Sequence, residues 1–336
     1  MILICRRIEK INVVPLSIFA VPCLASPVSQ RRNISAPPAL LNACIVIAQI
    51  TAVVACFFAA SRITTWPALI ALALGFALLM NSVYSIIHEA EHAMLCENRA
   101  ANDLTGAFMS LFFPAPFHLV RQGHLGHHLR NRSDDEAFDL YFEDDHWWWR
   151  FAAFYGILTG FYWLLVVLSY IVFLFWPYAR SKTFWEVDRP AAAFMQSLNP
   201  RYTLWIRLEC LAAIALHSAL IYFLQIPLLN YAIIYAAFGF SWSAMQYVHH
   251  YGTERHVTRG ARNLWLWAPI DLLWMNHNWH LTHHENPTVP WVHLPKLSQS
   301  EPRSRGFLPF AYLKMWRGPR RATDRVQNKY AGRIIA

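Results

Sequence analysis

The sequence predicts an all-α integral membrane protein, with about four transmembrane helices and additional re-entrant or interfacial helices. Of 336 residues, 56% are hydrophobic and only 15% charged, where an ordinary soluble domain carries about a quarter charged. The apolar residues gather into runs near the roughly 20 residues that a helix needs to cross a bilayer. These runs fill the middle of the chain and leave no room for a separate soluble domain. One membrane domain is therefore expected over 37–298, between an N-terminal extension (1–36) and a basic tail (299–336).

Taken in order, residues 1–30 imitate a secretory signal, with a basic start, an apolar run and small residues near Ala25. Cleavage would send the histidine clusters described below outside, against the charge distribution, and the segment is taken as an extension. The runs ALLNACIVIAQITAVVACFFAAS (39–61) and PALIALALGFALLMNSVYSII (67–87) are each long enough to cross, and their short link allows only a hairpin turn. LTGAFMSLFFPAPFHLV (104–120), broken by Pro114 and Pro116, suits an in-plane segment. LECLAAIALHSALIYFLQI (208–226) and LLNYAIIYAAFGFSWSAMQYV (228–248) form a second pair around Pro227.

The remaining run, 151–176, is long enough to cross once and too short to cross twice. Were it to cross, the histidines after residue 248 would face away from those at 88–128. Dipping into one leaflet instead, it leaves 28 of the 29 Lys and Arg on one side, Arg62 being the exception. By the positive-inside rule that side is the cytoplasm, facing in from the inner membrane if the source is bacterial. Tryptophans at 147–149, 265, 267 and 274 suit an interfacial belt. From Pro302 the tail carries nine Lys or Arg against one Asp, which suits a solvated tail or one that adheres to anionic lipid.

Composition also excludes. The six cysteines (5, 23, 44, 56, 96, 210) show no C-x-x-C and no framework spacing. The formal charge of +9 comes without a basic groove motif interleaved with aromatics, so nucleic acid is not expected as a partner.

Sixteen histidines are distributed unevenly. HEAEH (88–92) ends the second run, HLGHH (124–128) lies in the first polar stretch, and HLTHH (280–284) follows the fourth run. At this frequency H-x-x-H-H is expected by chance roughly 0.04 times per chain, and it occurs twice. Spacings of three and four put the rings of each cluster on one helical face. A lone histidine on an apolar face is usually a satisfied core residue, but eight in three clusters at span ends require a shared task. Imidazole suits iron, copper, zinc and nickel, and one ion takes about four to six ligands, so eight or nine rings imply two metals at the membrane face. HEAEH alone also fits a zinc protease with Glu89 as base. That reading gives no role to the other two clusters and finds no L-D-G type sequence in a later span. A metal or haem transporter would place polar residues within spans, and of the histidines only His217 lies in one.

The ordered set HEAEH, HLGHH and HLTHH, each after or between apolar spans, resembles the three histidine boxes of the membrane fatty acid desaturase and hydroxylase superfamily, over about residues 39–298. The likeness is closest at the third box, where Asn278 and then HHENPTVPWVHLPKL resemble the N-x-H-x-x-H-H and Pro-containing turn of acyl-lipid desaturases. MQYVHHYG (245–252) resembles the end of the fourth span of stearoyl-CoA desaturases, where a histidine before an apolar residue, Tyr and Gly is a further ligand. The resemblance implies a diiron site held by His88, His92, His124, His127, His128, His249, His280, His283 and His284. His250, His277, Asn278, Asp271 and Glu89 are then neighbours that orient or extend the set. It also implies O2 as co-substrate, a long acyl chain in the bilayer as substrate, and electrons from a ferredoxin, rubredoxin or cytochrome. Introduction of a double bond is the reaction favoured by the third box; hydroxylation or ketolation is the alternative on the same scaffold.

Two positions depart from the stearoyl-CoA pattern. Met245 stands where those enzymes have an Asn holding a metal-bound water, and His88 and His92 are four apart where acyl-CoA enzymes use five. The first box fits acyl-lipid desaturases, hydroxylases and carotenoid ketolases equally well. His256 and His293 flank the clusters and are read as surface or outer residues. Asp134, Asp135, Asp139 and Asp271 are candidates to hold a ring's far nitrogen, although the run 134–145 reads more simply as a solvated loop.

Overall fold

Two long hairpins of helices make the frame. α1 (Ala39–Arg62) and α2 (Trp66–Glu91) form the first, α8 (Thr203–Leu224) and α9 (Leu228–Met245) the second. These four are long and apolar enough to cross a membrane, as the hydropathy predicts. The computed structural model describes residues 36–175, 188–299 and 304–335, all within one compact unit, Ser35–Ala336. The N-terminal extension lies outside the described residues.

α2 packs along α9 and is flanked by α1 and by α3 (Arg99–Phe112). Their shared core includes Phe57, Phe76, Met80, Ile86, Phe113, Phe238 and Trp242, all buried. Several polar side chains inside the spans are paired across helices, which lowers their cost in hydrocarbon. Gln49 Nε2 reaches Ser82 Oγ at 2.9 Å, Asn81 Nδ2 reaches Ser241 Oγ at 2.8 Å, and Asn230 Nδ2 reaches Ala60 O at 2.8 Å.

α3 stops before Pro114, and α4 (Phe117–Arg130), which carries the second box, starts after Pro116. α4 has no side-chain cap of its own. Glu209, from α8, supplies one: its carboxylate accepts from His118 N at 3.1 Å and from His118 Nδ1 at 2.5 Å. The run 151–176 forms α5 (Trp147–Thr159) and α6 (Phe161–Phe175), with a bend of 92° between them. Gly160 makes the bend possible. Its φ of 93° is in the left-handed region, and a Cβ there would stand 3.1 Å from Phe240 Cα, so both backbone angle and space call for glycine.

His88 closes α2 and His249 follows α9 directly, and these parallel neighbours bring the two histidines to the same end of the bundle. Since α8 and α9 cross as a pair, α5 and α6 make no net crossing, in agreement with a re-entrant or interfacial element. Over this end lies a polar cap. After α7 (Arg189–Ser197) and the spans come α10 (Ala268–Leu273), α11 (His280–Glu285) with the third box, and α12 (Leu294–Gln299). Two short parallel strand pairs complete it: β1 (Leu140–Tyr141) with β4 (Arg320–Arg321), and β2 (Leu264–Trp265) with β3 (Gly306–Phe307). Residues 304–335, with α13 (Leu308–Met315), thus pack back over the cap, as far as Ile335 N on Ser197 O at 2.9 Å.

A reporter fused after Ala336 and one inserted at Asp144 should therefore report one side of the membrane, and one inserted at Thr64 the other. A split between the first two would mean that α5 and α6 cross, and agreement of all three would mean that the α1–α2 hairpin does not.

Candidate metal centre

Four segments deliver imidazoles to one place. His88 and His92 share a face at the end of α2; His124, His127 and His128 share a face of α4; His250 lies just past α9; and His280, His283 and His284 line one turn of α11. Two groups result, His88, His92, His124 and His283 in one and His127, His250, His280 and His284 in the other, with one ring nitrogen per residue within 4.8 Å of the rest. In the first, His92 Nε2 and His124 Nε2 are 2.8 Å apart. In the second, His280 Nε2 lies 3.0 Å from His250 Nε2 and 3.2 Å from His284 Nε2, and His127 Nε2 is 3.2 Å from His284 Nε2. His128 stands between the groups: its Nε2 is 3.0 Å from His124 Nε2 and 3.1 Å from His283 Nε2, and its ring is 4.4 Å from that of His284.

Burial first, and then repulsion among the rings, pushes the pKa values of His124, His128, His250, His280, His283 and His284 well below the ordinary imidazole range. A neutral ring carries one N–H, so wherever rings meet Nε2 to Nε2 at such distances with the proton on neither, lone pairs are set against each other. An ion between them turns that repulsion into coordination. With metal–nitrogen bonds of about 2.1 Å, neighbouring donors on one ion stand about 3 Å apart, as these do. His88 Nε2, buried without a hydrogen-bond partner, bears the same mark. An all-nitrogen donor set of this kind fits iron and its borderline neighbours.

The far nitrogens show how the rings are aimed. His127 Nδ1 meets Glu136 Oε1 at 2.5 Å, and Arg130 Nε holds the other oxygen at 2.7 Å. Burial alone would raise the Glu136 carboxyl, but Arg130 and His127 hold it below the usual range. His250 donates Nδ1–H to Gly260 O at 2.8 Å. In the first group the acids stand further off, Glu91 Oε2 at 3.9 Å from His124 Nδ1 and Glu89 Oε1 at 3.9 Å from His88 Nδ1. Glu89 turns its other oxygen to Trp291 N at 3.2 Å.

Eight of the nine rings expected as ligands converge here. The ninth expected was His249, yet the structure brings its neighbour His250 into the second group. His249 lies alongside, its ring 4.6 Å from that of His280 and its Nε2 3.2 Å from Asn278 Oδ1. Asn278 donates in turn to Asp271 at 2.5 Å, and Arg305 reaches Asp271 at 2.9 Å. His277 rests against His88, ring centroids 5.0 Å apart, with its pKa pushed down to about 3 by burial and by His88. Among the acidic candidates Asp139 is taken up by Arg132 and Tyr247, Asp134 by Arg255 and Asp135 by Asn328, so none of the three holds a ring. His256 caps a surface turn at Thr258 and Arg259.

Glu136, Glu91 and the Gly260 carbonyl were not anticipated. Glu136 lies in the acidic run read as a loop, nine residues after His127, and its one sequence signal is that position beyond the box. A backbone carbonyl leaves no signal at all.

A membrane bundle that closes two all-histidine groups at one end defines a class, the histidine-box membrane oxidoreductases. The fatty acid desaturase family model matches residues 63–319, well over half of the chain, and the chain belongs to that family. A search of curated proteins gives no match. The protein is accordingly a metal-binding membrane oxidoreductase of desaturase–hydroxylase type, in a family that uses non-haem iron.

If His250 completes the second group, His250→Ala should lower the metal retained by protein purified anaerobically, while His249→Ala should keep it. The reverse order in elemental analysis would restore His249 as the ligand. Glu136→Ala should weaken metal affinity or activity by about 10 to 100-fold, with Glu136→Gln keeping part of the loss back by still contacting His127.

Proposed function

We propose that the protein is an O2-dependent desaturase that introduces a double bond into the acyl chain of a membrane lipid, with two irons held at its histidine groups. The observation that carries this is the pairing of two nitrogen-only groups, side by side, at the ends of apolar helices. His88, His92, His124, His128 and His283 would hold one iron, and His127, His250, His280 and His284 the other. Charge supports a cytoplasmic position for the site.

When bound, the iron pair supplies the oxidising power that activates O2 and removes hydrogen from an unactivated C–H bond. The chain's own residues prepare for it. Glu136 and the Gly260 carbonyl keep the Nδ1 protons of His127 and His250 in place, which leaves the Nε2 lone pairs turned inward. One turn below His88, Tyr84 packs on Phe113 at 5.3 Å and on Trp242 at 5.4 Å, and Tyr162 stacks on Trp242 at 5.8 Å. These rings would give an acyl chain dispersion contacts and keep bulk water from the reacting carbons. Removing two hydrogens while O2 becomes two waters takes two electrons and two protons from outside. A ferredoxin, rubredoxin or cytochrome suits that need.

The third-box sequence supports desaturation, and hydroxylation or ketolation is the second reading because the four-residue first box suits those enzymes too. The protease reading loses support because it gives no role to the second and third boxes, whose rings gather with those of HEAEH. Mass analysis of lipids from a host expressing the gene, with and without O2, should reveal new unsaturated species only with O2; new hydroxylated species would select the second reading. His284→Ala should abolish product, and Glu89→Gln should cost about 10 to 100-fold at most. A protease would reverse that order, since loss of its general base costs about 100-fold or more.

A further inference from the structure

Beside the second histidine group gather three cations that, among the described residues, form no ion pair. Gly252 follows His250 by two residues, is exposed, and lies in the left-handed region at φ 67°. A Cβ on it would stand 3.8 Å from Arg320 Nη2 and 4.0 Å from Arg262 Nη2, so two guanidiniums from different segments flank one bare stretch of backbone. The adjoining Tyr251 hydroxyl donates to Gly318 O at 2.9 Å, which brings Arg317, the residue before Gly318, into the same cluster. Among the described residues none of these three forms an ion pair, whereas nearby Arg255, Arg321 and Arg325 all do. Arg262 donates to Tyr251 O, and its buried Nε has no partner. Asp139, the carboxylate that reaches this region, is already occupied by Arg132, the Tyr247 hydroxyl and Gly252 N. Like charges kept together in this way repel one another, and an anionic partner from outside relieves the repulsion.

We propose that Arg262, Arg317 and Arg320 form the docking patch for an acidic electron-donor protein, with Tyr251 and Gly252 as the short link from that patch to His250. The inference rests on the reading that the centre is re-reduced by an external donor. The donor gives up one electron per encounter and is oxidised, the centre is reduced, and two encounters supply one turnover. A protein donor is favoured over a lipid phosphate because the patch is centred on the loop that carries His250. There a docked redox group gains a shorter path to the ring, and a glycine leaves the backbone open to close approach.

The test uses full-length, iron-loaded protein in nanodiscs and a plant-type [2Fe–2S] ferredoxin as the acidic probe. Binding is followed by fluorescence titration at several salt concentrations. The wild type should bind more weakly as salt rises, and R262Q/R317Q/R320Q should bind on the order of 10-fold more weakly at low salt with a flatter salt dependence. Single-turnover product after chemical reduction by dithionite should be unchanged. R317Q/R320Q, confined to exposed side chains, should show part of the same loss and guards against misfolding of the triple variant. Unchanged ferredoxin binding and ferredoxin-driven turnover in both variants would overturn the proposal. So would a loss of dithionite-driven activity seen only in discs containing phosphatidylglycerol, since the arginines would then serve a lipid. Should the wild type give no product even with dithionite, the reaction reading fails, and the titration still decides on docking.

Discussion

Everything in this molecule bends to one constraint: neutral imidazole nitrogens from four separate segments must be held at about the spacing of donors around a metal ion, against their own mutual repulsion. No single helix could do this, so the scaffold is organised as a set of clamps. α4 is gripped at its start by Glu209 from a spanning helix and at its end by Asn131, whose side chain reaches Val257 O at 2.9 Å. Arg132, 1% exposed, is held by Asp139 and by the Tyr247 hydroxyl, which ties the loop after the second box to the segment leading to His250. Removing one member of such a buried pair costs about 3–5 kcal/mol, because the other charge is left uncompensated. These pairs serve to fix positions at the site more than to raise overall stability.

The two histidine groups are not equivalent. In the second, His127 and His250 are each aimed by a hydrogen bond of ordinary or short length, to Glu136 and to Gly260 O. In the first, Glu89 and Glu91 stand 3.9 Å from the far nitrogens, while the Nδ1 atoms of His283 in the first group and of His280 and His284 in the second are alike buried with no partner. A ring aimed by a strong hydrogen bond is a better donor and turns less freely. His127 and His250 are therefore the most firmly aimed rings of the centre, and both belong to the second group.

Much of this architecture was legible in the sequence because its signals are strong and local. Apolar runs of spanning length predict α1, α2, α8 and α9, and the parity of the histidine-bearing ends predicts the bent pair α5 and α6. The three boxes predict which rings meet, since spacings of three and four fix a shared helical face. What escaped depends on distance along the chain. The choice between His249 and His250 turns on which ring points inward after α9 ends, and no periodicity survives into an irregular turn. The pairing of Glu136 with His127 depends on a tight loop after α4, and the Gly260 carbonyl on a backbone path. Charge counting likewise identified residues 299–336 as basic but carried no sign that they fold back through two parallel strand pairs. Such contacts are set by tertiary geometry alone.

That returning segment has a bearing on how the protein is made. Asp134 N meets Val326 O, and Val326 N meets Asp134 Oδ1, across 192 residues of chain. Translation must deliver every membrane helix and all three boxes before the last strand can take its place beside β1. The polar cap is therefore completed only after the hairpins and the three boxes have been made. Completion of the cap becomes a matter of timing between membrane insertion and synthesis of the returning segment.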